Sequence, residues 1–135
     1  MCYGETTYAC AIARIFGDNF AAARQFLTFA QYPSGLFEFT KNELKEIFGK
    51  ESIYASSILC SDELLRECEK EVEEYRNQNI SIIYIEDRDY PHKLKECTDA
   101  PIVLFYRGSA HPDFERAVSI VGTRNATPYG ISACK

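Results

Sequence analysis

In the first 78 residues, apolar positions recur at the three- and four-residue spacing of amphipathic helices. Residues that start or end helices separate these stretches, among them Gly17, Gly49 and the segment QYPSG. Thr40 and Glu43 have the spacing of a capping box. The pattern predicts four or five short helices, which cover residues 6–16, a stretch capped by Asp18 or Asn19, and residues 41–48, 51–59 and 62–78.

The last of these helices follows Ser61, which we expect to be its N-cap. Its apolar stripe is predicted to be buried and contains Leu64, Leu65, Cys68, Val72 and Tyr75. The acidic run EKEVEEYR on the same helix is typical of a solvated face, supported by pairs such as Lys70 with Glu74.

The pattern changes at residue 79, where continuous β-branched and apolar runs replace the helical spacing. Such runs are typical of strands covered on both faces, as in a parallel sheet. We predict strands over residues 80–85, 102–106 and 117–121, and then a helix with Thr127 as N-cap and Pro128 at its first position. The fold class is therefore α + α/β, with an all-helical domain over residues 1–78 and the beginning of a parallel α/β domain over residues 79–135. Because helices to cover this sheet are missing, we expect either a longer natural protein or a remnant.

Composition narrows the class of protein. Hydrophobic residues make up 46% and charged residues 26% of the 135 residues, which suits a packed core. No apolar run approaches the roughly 20 residues that a membrane helix needs. The N-terminus lacks a basic segment before its apolar part, so we expect no secretion signal and a cytoplasmic location.

The six cysteines have no zinc-site spacing, and His92 and His111 are the two histidines of the sequence. We therefore predict free thiols, mostly buried as small apolar side chains, with no metal and no cofactor. Both histidines precede or follow a proline and are predicted to be surface loop residues. No nucleophile or acid–base pair stands out, so no catalytic residue is predicted.

The net charge of −5 is uneven. Residues 1–79 carry 8 basic and 13 acidic side chains, whereas residues 80–135 carry 7 of each. Any nucleic-acid binding must therefore come from a few placed groups and not from a broad positive surface.

The stretch AVSIVGTRNATPYG, residues 117–130, is the best candidate for such groups. A strand that ends at Gly122 and turns into a helix is a common anion-binding unit. Arg124 can hold phosphate oxygens with two hydrogen bonds, and Thr123 and Thr127 add hydroxyls. The stretch fits neither the dinucleotide fingerprint nor the Walker pattern, because Arg124 stands where the former needs glycine and Thr127 where the latter does. Tyr90, Tyr106, Tyr129 and Arg107 are weaker candidates for a nucleic-acid contact.

The segments DRDYPHKLKECTDAPIVLFYRGSA and AVSIVGTRNATPYG together resemble the DNA-processing A (DprA/Smf) family. The resemblance implies a SAM-like helical domain over residues 1–78 and the beginning of a Rossmann-like DNA-binding domain, truncated, over residues 79–135. It also implies binding of single-stranded DNA in natural transformation and loading of a RecA-type recombinase, without enzymatic activity. The DNA or phosphate contacts carried over by position are Gly122, Thr123, Arg124, Thr127, Tyr129 and Gly130. The recombinase-binding surface and a possible homodimer contact of the full-length protein are expected outside this chain.

Two other interpretations stay open. The loop could bind a nucleotide or sugar phosphate, as in a small-molecule enzyme. Alternatively, the helical part could act alone as a protein-interaction module.

Overall fold

A computed structural model describes residues 3–49, 52–116 and 122–133 of the chain. Its elements are, in chain order, α1 (Glu5–Phe16), α2 (Phe20–Leu27), α3 (Gly35–Glu38), α4 (Lys41–Phe48), α5 (Ile53–Leu59), α6 (Asp62–Asn77), β1 (Ser81–Tyr84), α7 (His92–Lys95), β2 (Val103–Tyr106) and α8 (Pro128–Ala133). The described part of the chain is therefore mainly helical, with one small sheet. None of the described helices is long and apolar enough to cross a bilayer.

The local signals placed the longer helices correctly. The Asn19 side chain accepts a hydrogen bond from the Ala22 amide and caps α2. The capping box of α4 is complete, because Thr40 accepts from the Glu43 amide while the Glu43 carboxylate accepts from the Thr40 amide. Ser61 does stand at the start of α6, but its side chain makes no capping hydrogen bond, so that part of the prediction is wrong.

The predicted parallel sheet is wrong for the two strands that the structure describes, because β1 and β2 pair antiparallel. A parallel pair needs a crossover, usually through a full helix. The connection here contains only the single turn α7, and it begins with a tight turn in which the Asp87 amide donates to the Tyr84 carbonyl at 2.8 Å. The chain returns beside β1, and the Ile85 amide donates to the Ile102 carbonyl at 2.9 Å.

The strand pair is not covered on both faces either. Ile83 is buried, but Phe105 on β2 is 56% exposed although its ring contacts Tyr75 of α6. The third predicted strand, residues 117–121, lies outside the described residues. The Rossmann-like and SAM-like assignments and the domain boundary near residue 79 stay predictions.

Helix α1 lies at the centre of the core. It packs against α2, α5, α6 and both strands. Ala11 and Ile12 are completely buried, and Phe16 stacks on Tyr54 with ring centroids 4.5 Å apart. The main apolar cluster joins residues of α1, α2, α4 and α5 to Ile83, Ile102 and other side chains of the strand region.

Polar side chains also join α1 to α6. The buried Thr7 hydroxyl donates to the Glu69 carboxylate, and the Arg14 guanidinium pairs with Glu67 and Glu71. The expectation that the acidic run EKEVEEYR is simply a solvated face is therefore wrong for Glu69 and Glu71. Their partners on α1 are more than 50 residues away in sequence, where no helical periodicity could reveal them.

Among the described cysteines, the prediction of mostly buried thiols is only half right. Cys68 is buried and Cys10 is half-buried, whereas Cys60 and Cys97 are exposed, and all four are free thiols. Burial, together with the neighbouring Cys68 and Glu71, raises the pKa of Cys10 to about 12. Cys10 is therefore a protonated, unreactive thiol at neutral pH.

The Thr7–Glu69 hydrogen bond gives a direct test of the α1–α6 contact. Thr7→Val keeps the shape of the side chain but removes the donor, so we expect the free energy of unfolding to fall by about 1–3 kcal/mol. Urea denaturation followed by circular dichroism measures the loss. Thr6→Val is the matched control, since Thr6 is only half-buried and makes no side-chain hydrogen bond within the described residues. Equal stability of the Thr7→Val variant and the wild type would contradict the assigned contact.

Candidate nucleic-acid interface

The candidate loop leads from Gly122 into α8. The Thr127 hydroxyl accepts from the Gly130 amide at 3.2 Å, and the Thr127 carbonyl accepts from the Ile131 amide at 3.0 Å. Thr127 is thus the N-cap and Pro128 the first helical residue, as predicted.

A second hydroxyl shapes the turn before the helix. Thr123 Oγ1 accepts from the Asn125 amide at 3.2 Å, which holds the residues around Arg124 in a tight turn. Thr123 and Thr127 are both exposed. Each hydroxyl accepts one backbone hydrogen bond and still has its own O–H to donate to an anion.

Arg124 lies between these two threonines in sequence and is exposed. Within the described ranges its guanidinium makes no hydrogen bond or ion pair, in contrast to Arg14 and Arg24, which are engaged by carboxylates and a carbonyl. All five of its N–H donors are therefore available to an incoming ligand.

The two glycines and the tyrosine of the loop differ in accessibility. A Cβ added at Gly122 would meet no described atom within 4 Å, whereas one at Gly130 would be in ordinary contact with Thr127 Oγ1 at 3.6 Å. Tyr129 is 83% exposed, so its ring is presented to solvent. The described loop therefore combines an accessible backbone, two hydroxyls, a guanidinium and an aromatic ring.

The weaker tyrosine candidates have structural partners. Tyr90 is buried, and its hydroxyl donates to the Pro101 carbonyl. The Tyr106 hydroxyl donates to the Ala110 carbonyl. Both tyrosines thus hold backbone segments next to the strand pair by hydrogen bonds. Arg107, the remaining weaker candidate, is exposed.

The two histidines, predicted to be surface loop residues, form side-chain contacts that join two distant segments of the chain. The sequence analysis missed these contacts. His92 Nδ1 lies 2.9 Å from Asp113 Oδ2, and His111 Nε2 lies 3.3 Å from Asp89 Oδ1. The Lys93 ammonium donates to the Glu115 carbonyl at 2.7 Å. These contacts hold residues 111–115 against residues 89–93. No spacing signal could have found pairs that are 21 or 22 residues apart.

The hydrogen bond from His92 lowers the pKa of the Asp113 carboxyl. A carboxyl with a depressed pKa in the folded state stabilises the fold above its ordinary pKa, and this stabilisation is lost as the pH falls through the depressed value. Asp113→Asn should therefore be less stable than the wild type at pH 7, and the difference should shrink toward pH 3. Urea denaturation at both pH values measures it. The control is Asp18→Asn, which changes an exposed carboxylate with no described partner. If the stability loss of the Asp113→Asn variant changes with pH no more than that of this control, the His92–Asp113 pairing is contradicted.

Comparison with known proteins agrees with the loop's motif. Residues 81–135 match the family described as DNA recombination-mediator protein A. A stretch of 57 residues is 46% identical to the DNA processing protein DprA of Bacillus subtilis (strain 168), and it covers 42% of this chain and 19% of that protein. The match thus spans about a fifth of the relative's length. No solved structure matches the chain significantly.

The resemblance that the sequence motifs suggested is confirmed for the part of the chain that contains the loop. Residues 81–135 of this chain are thus similar to the DNA recombination-mediator protein A family.

Proposed function

We propose that this protein binds single-stranded DNA through residues Gly122 to Gly130, in DNA processing and recombination. The observation that carries the proposal is the exposed Arg124 guanidinium, which has no partner among the described residues. It lies in sequence between two threonine hydroxyls, in a segment that matches a recombination-mediator family.

The proposed contact begins at a phosphate. Arg124 donates two parallel hydrogen bonds to phosphate oxygens, an arrangement stronger than bonds between neutral groups. The Thr123 and Thr127 hydroxyls donate to the same or the next phosphate while they accept from the Asn125 and Gly130 amides. Gly122 leaves room for the strand to approach the backbone.

The exposed ring of Tyr129 favours a single strand over a duplex. Unpaired bases stack on aromatic side chains, whereas the bases of a duplex already stack on each other. Since the chain has a net charge of −5, a broad electrostatic attraction to nucleic acid is not available. Binding should therefore involve few phosphates and a shallow dependence on salt.

The family resemblance also supports a proposal for the biological role of the protein. On this basis we propose a cytoplasmic, non-enzymatic role in natural transformation, with loading of a RecA-type recombinase by the complete protein. The same basis supports a SAM-like helical domain, a Rossmann-like domain to which the strand region contributes, and a homodimer of the complete protein.

Substitution of Arg124 tests the proposed contact. Arg124→Ala should weaken binding to an oligothymidine strand by about tenfold to a hundredfold, the loss expected for a charged hydrogen-bonded contact of about 1.5–3 kcal/mol. The slope of log affinity against log salt should become shallower by about 0.7, as expected when one phosphate contact is lost. Fluorescence anisotropy at several salt concentrations measures both quantities.

Arg88→Ala is the matched control, because it removes an equal charge from an exposed arginine outside the loop. Unchanged affinity of the Arg124→Ala variant would refute the assigned loop. A rise in melting temperature with a mononucleotide, without strand binding, would favour the phosphosugar or nucleotide interpretation.

A further inference from the structure

A groove of about 590 Å³ lies where α2 and the turn after it meet the end of β1. Its polar lining comes from Arg24, Gln25, Thr28, Gln31, Tyr84 and Glu86. We call it the α2–β1 groove. It is distinct from the Gly122–Gly130 loop, since none of its lining residues belongs to that loop.

The two glutamine side chains of the groove are exposed. Within the described part of the chain, neither side-chain amide takes part in a hydrogen bond. A primary amide carries two donors and an acceptor, the same kinds of group that line the edge of an unpaired base. Gln25 and Gln31 can therefore read or hold base edges.

The charges of the groove are partly satisfied within the protein. The Arg24 guanidinium donates to the Cys97 carbonyl through one nitrogen, which fixes its position and leaves other N–H groups free. The Glu86 carboxylate pairs with the Lys95 ammonium. Burial raises the pKa of Tyr84 to about 12, so its hydroxyl is a neutral donor at pH 7. The groove thus offers one oriented cation and several neutral polar groups.

Two aromatic residues lie in the same stretch of chain as the groove residues 24–31. Phe29 stands between the lining residues Thr28 and Ala30, and Tyr32 follows Gln31. Their exposed fractions are 55% and 57%, whereas the nearby rings of Phe16 and Phe26 pack into the main apolar cluster. The Phe29 ring centroid lies 6.4 Å from that of Phe26, so the packed core supports this exposed ring.

We propose that the α2–β1 groove, with Phe29 and Tyr32 beside it, is a second contact site for single-stranded DNA. Unpaired bases stack on the two rings, the Gln25 and Gln31 amides pair with base edges, and Arg24 contacts a phosphate. This inference rests on the proposed function, and it assigns part of the strand contact to the helical region of the chain.

The chemistry of the groove favours this occupant. Stacking of bases on aromatic rings tolerates any sequence, because every base presents a π face. A free phosphate or another simple anion would need more positive charge than Arg24 supplies beside the Glu86–Lys95 pair. A duplex hides the base edges that the two amides would contact.

The test compares oligothymidine strands of about 5 and about 25 nucleotides, since one site of this kind covers about 4–16 nucleotides. The double variant Phe29→Ala/Tyr32→Ala should bind the long strand about fivefold to a hundredfold more weakly than the wild type, while its affinity for the short strand changes little because the loop still binds it. Gln25→Ala/Gln31→Ala should show a smaller loss on the long strand. Phe114→Ala is the matched control, because Phe114 is 51% exposed and lies outside the groove.

Arg124→Ala, measured in parallel, separates the two proposals. If it weakens binding of both strands while the double aromatic variant binds like the wild type, the groove is not a strand site and the loop assignment stands. That is also the result expected if the groove serves a protein partner. If the wild type binds neither strand, both proposals fail.

Crosslinking of the wild-type protein tests the same inference without a variant that could misfold. Bromodeoxyuridine in the long strand should crosslink on irradiation to a peptide that contains Phe29 or Tyr32. Crosslinks confined to peptides outside residues 24–32 would overturn the inference.

Discussion

The fold depends on the burial of α1 on several sides at once. Ala9, Ala11 and Ile12 have almost no exposed surface, and the helix contacts three other helices and both strands. The small side chains at residues 9 and 11 allow close approach by neighbours, while Ile12 and Phe16 fill the space between α2, α5 and the sheet. Because dense packing leaves little freedom to shift one element alone, α1 joins the helical region firmly to the strand region.

The contact between α1 and α6 also affects how the charges of the protein are distributed. The contact between α1 and α6 pairs Arg14 and Thr7 with three glutamates of α6, which are Glu67, Glu69 and Glu71, so these three acidic side chains are engaged within the protein. Arg124, in contrast, is exposed and unpaired within the described residues. An acidic protein can thus contact a polyanion through a small number of oriented groups, since short-range hydrogen bonds do not need a positive field over the whole surface.

The sequence correctly predicted the features that depend on residues close together in the chain. The Thr40–Glu43 capping box and the Thr127 N-cap are formed within one helical turn, and both are present. The loop motif could also be recognised, because its residues are consecutive. The strand direction was predicted wrongly, since continuous apolar runs are common in parallel sheets but do not fix the direction of the partner strand. The His92–Asp113 pair and the exposure of Phe29 depend on contacts between distant segments, which no periodicity encodes.

The central claim is that the Gly122–Gly130 loop contacts the strand, and nuclear magnetic resonance tests it without altering the protein. We would titrate a ¹⁵N-labelled sample with a short oligothymidine strand and follow the amide signals together with the Arg124 side-chain Nε–Hε signal. We predict that the largest shifts occur at Thr123, Arg124 and Gly130, while signals of buried α1 residues such as Ile12 stay in place. Saturable binding that leaves the loop signals unmoved would contradict it.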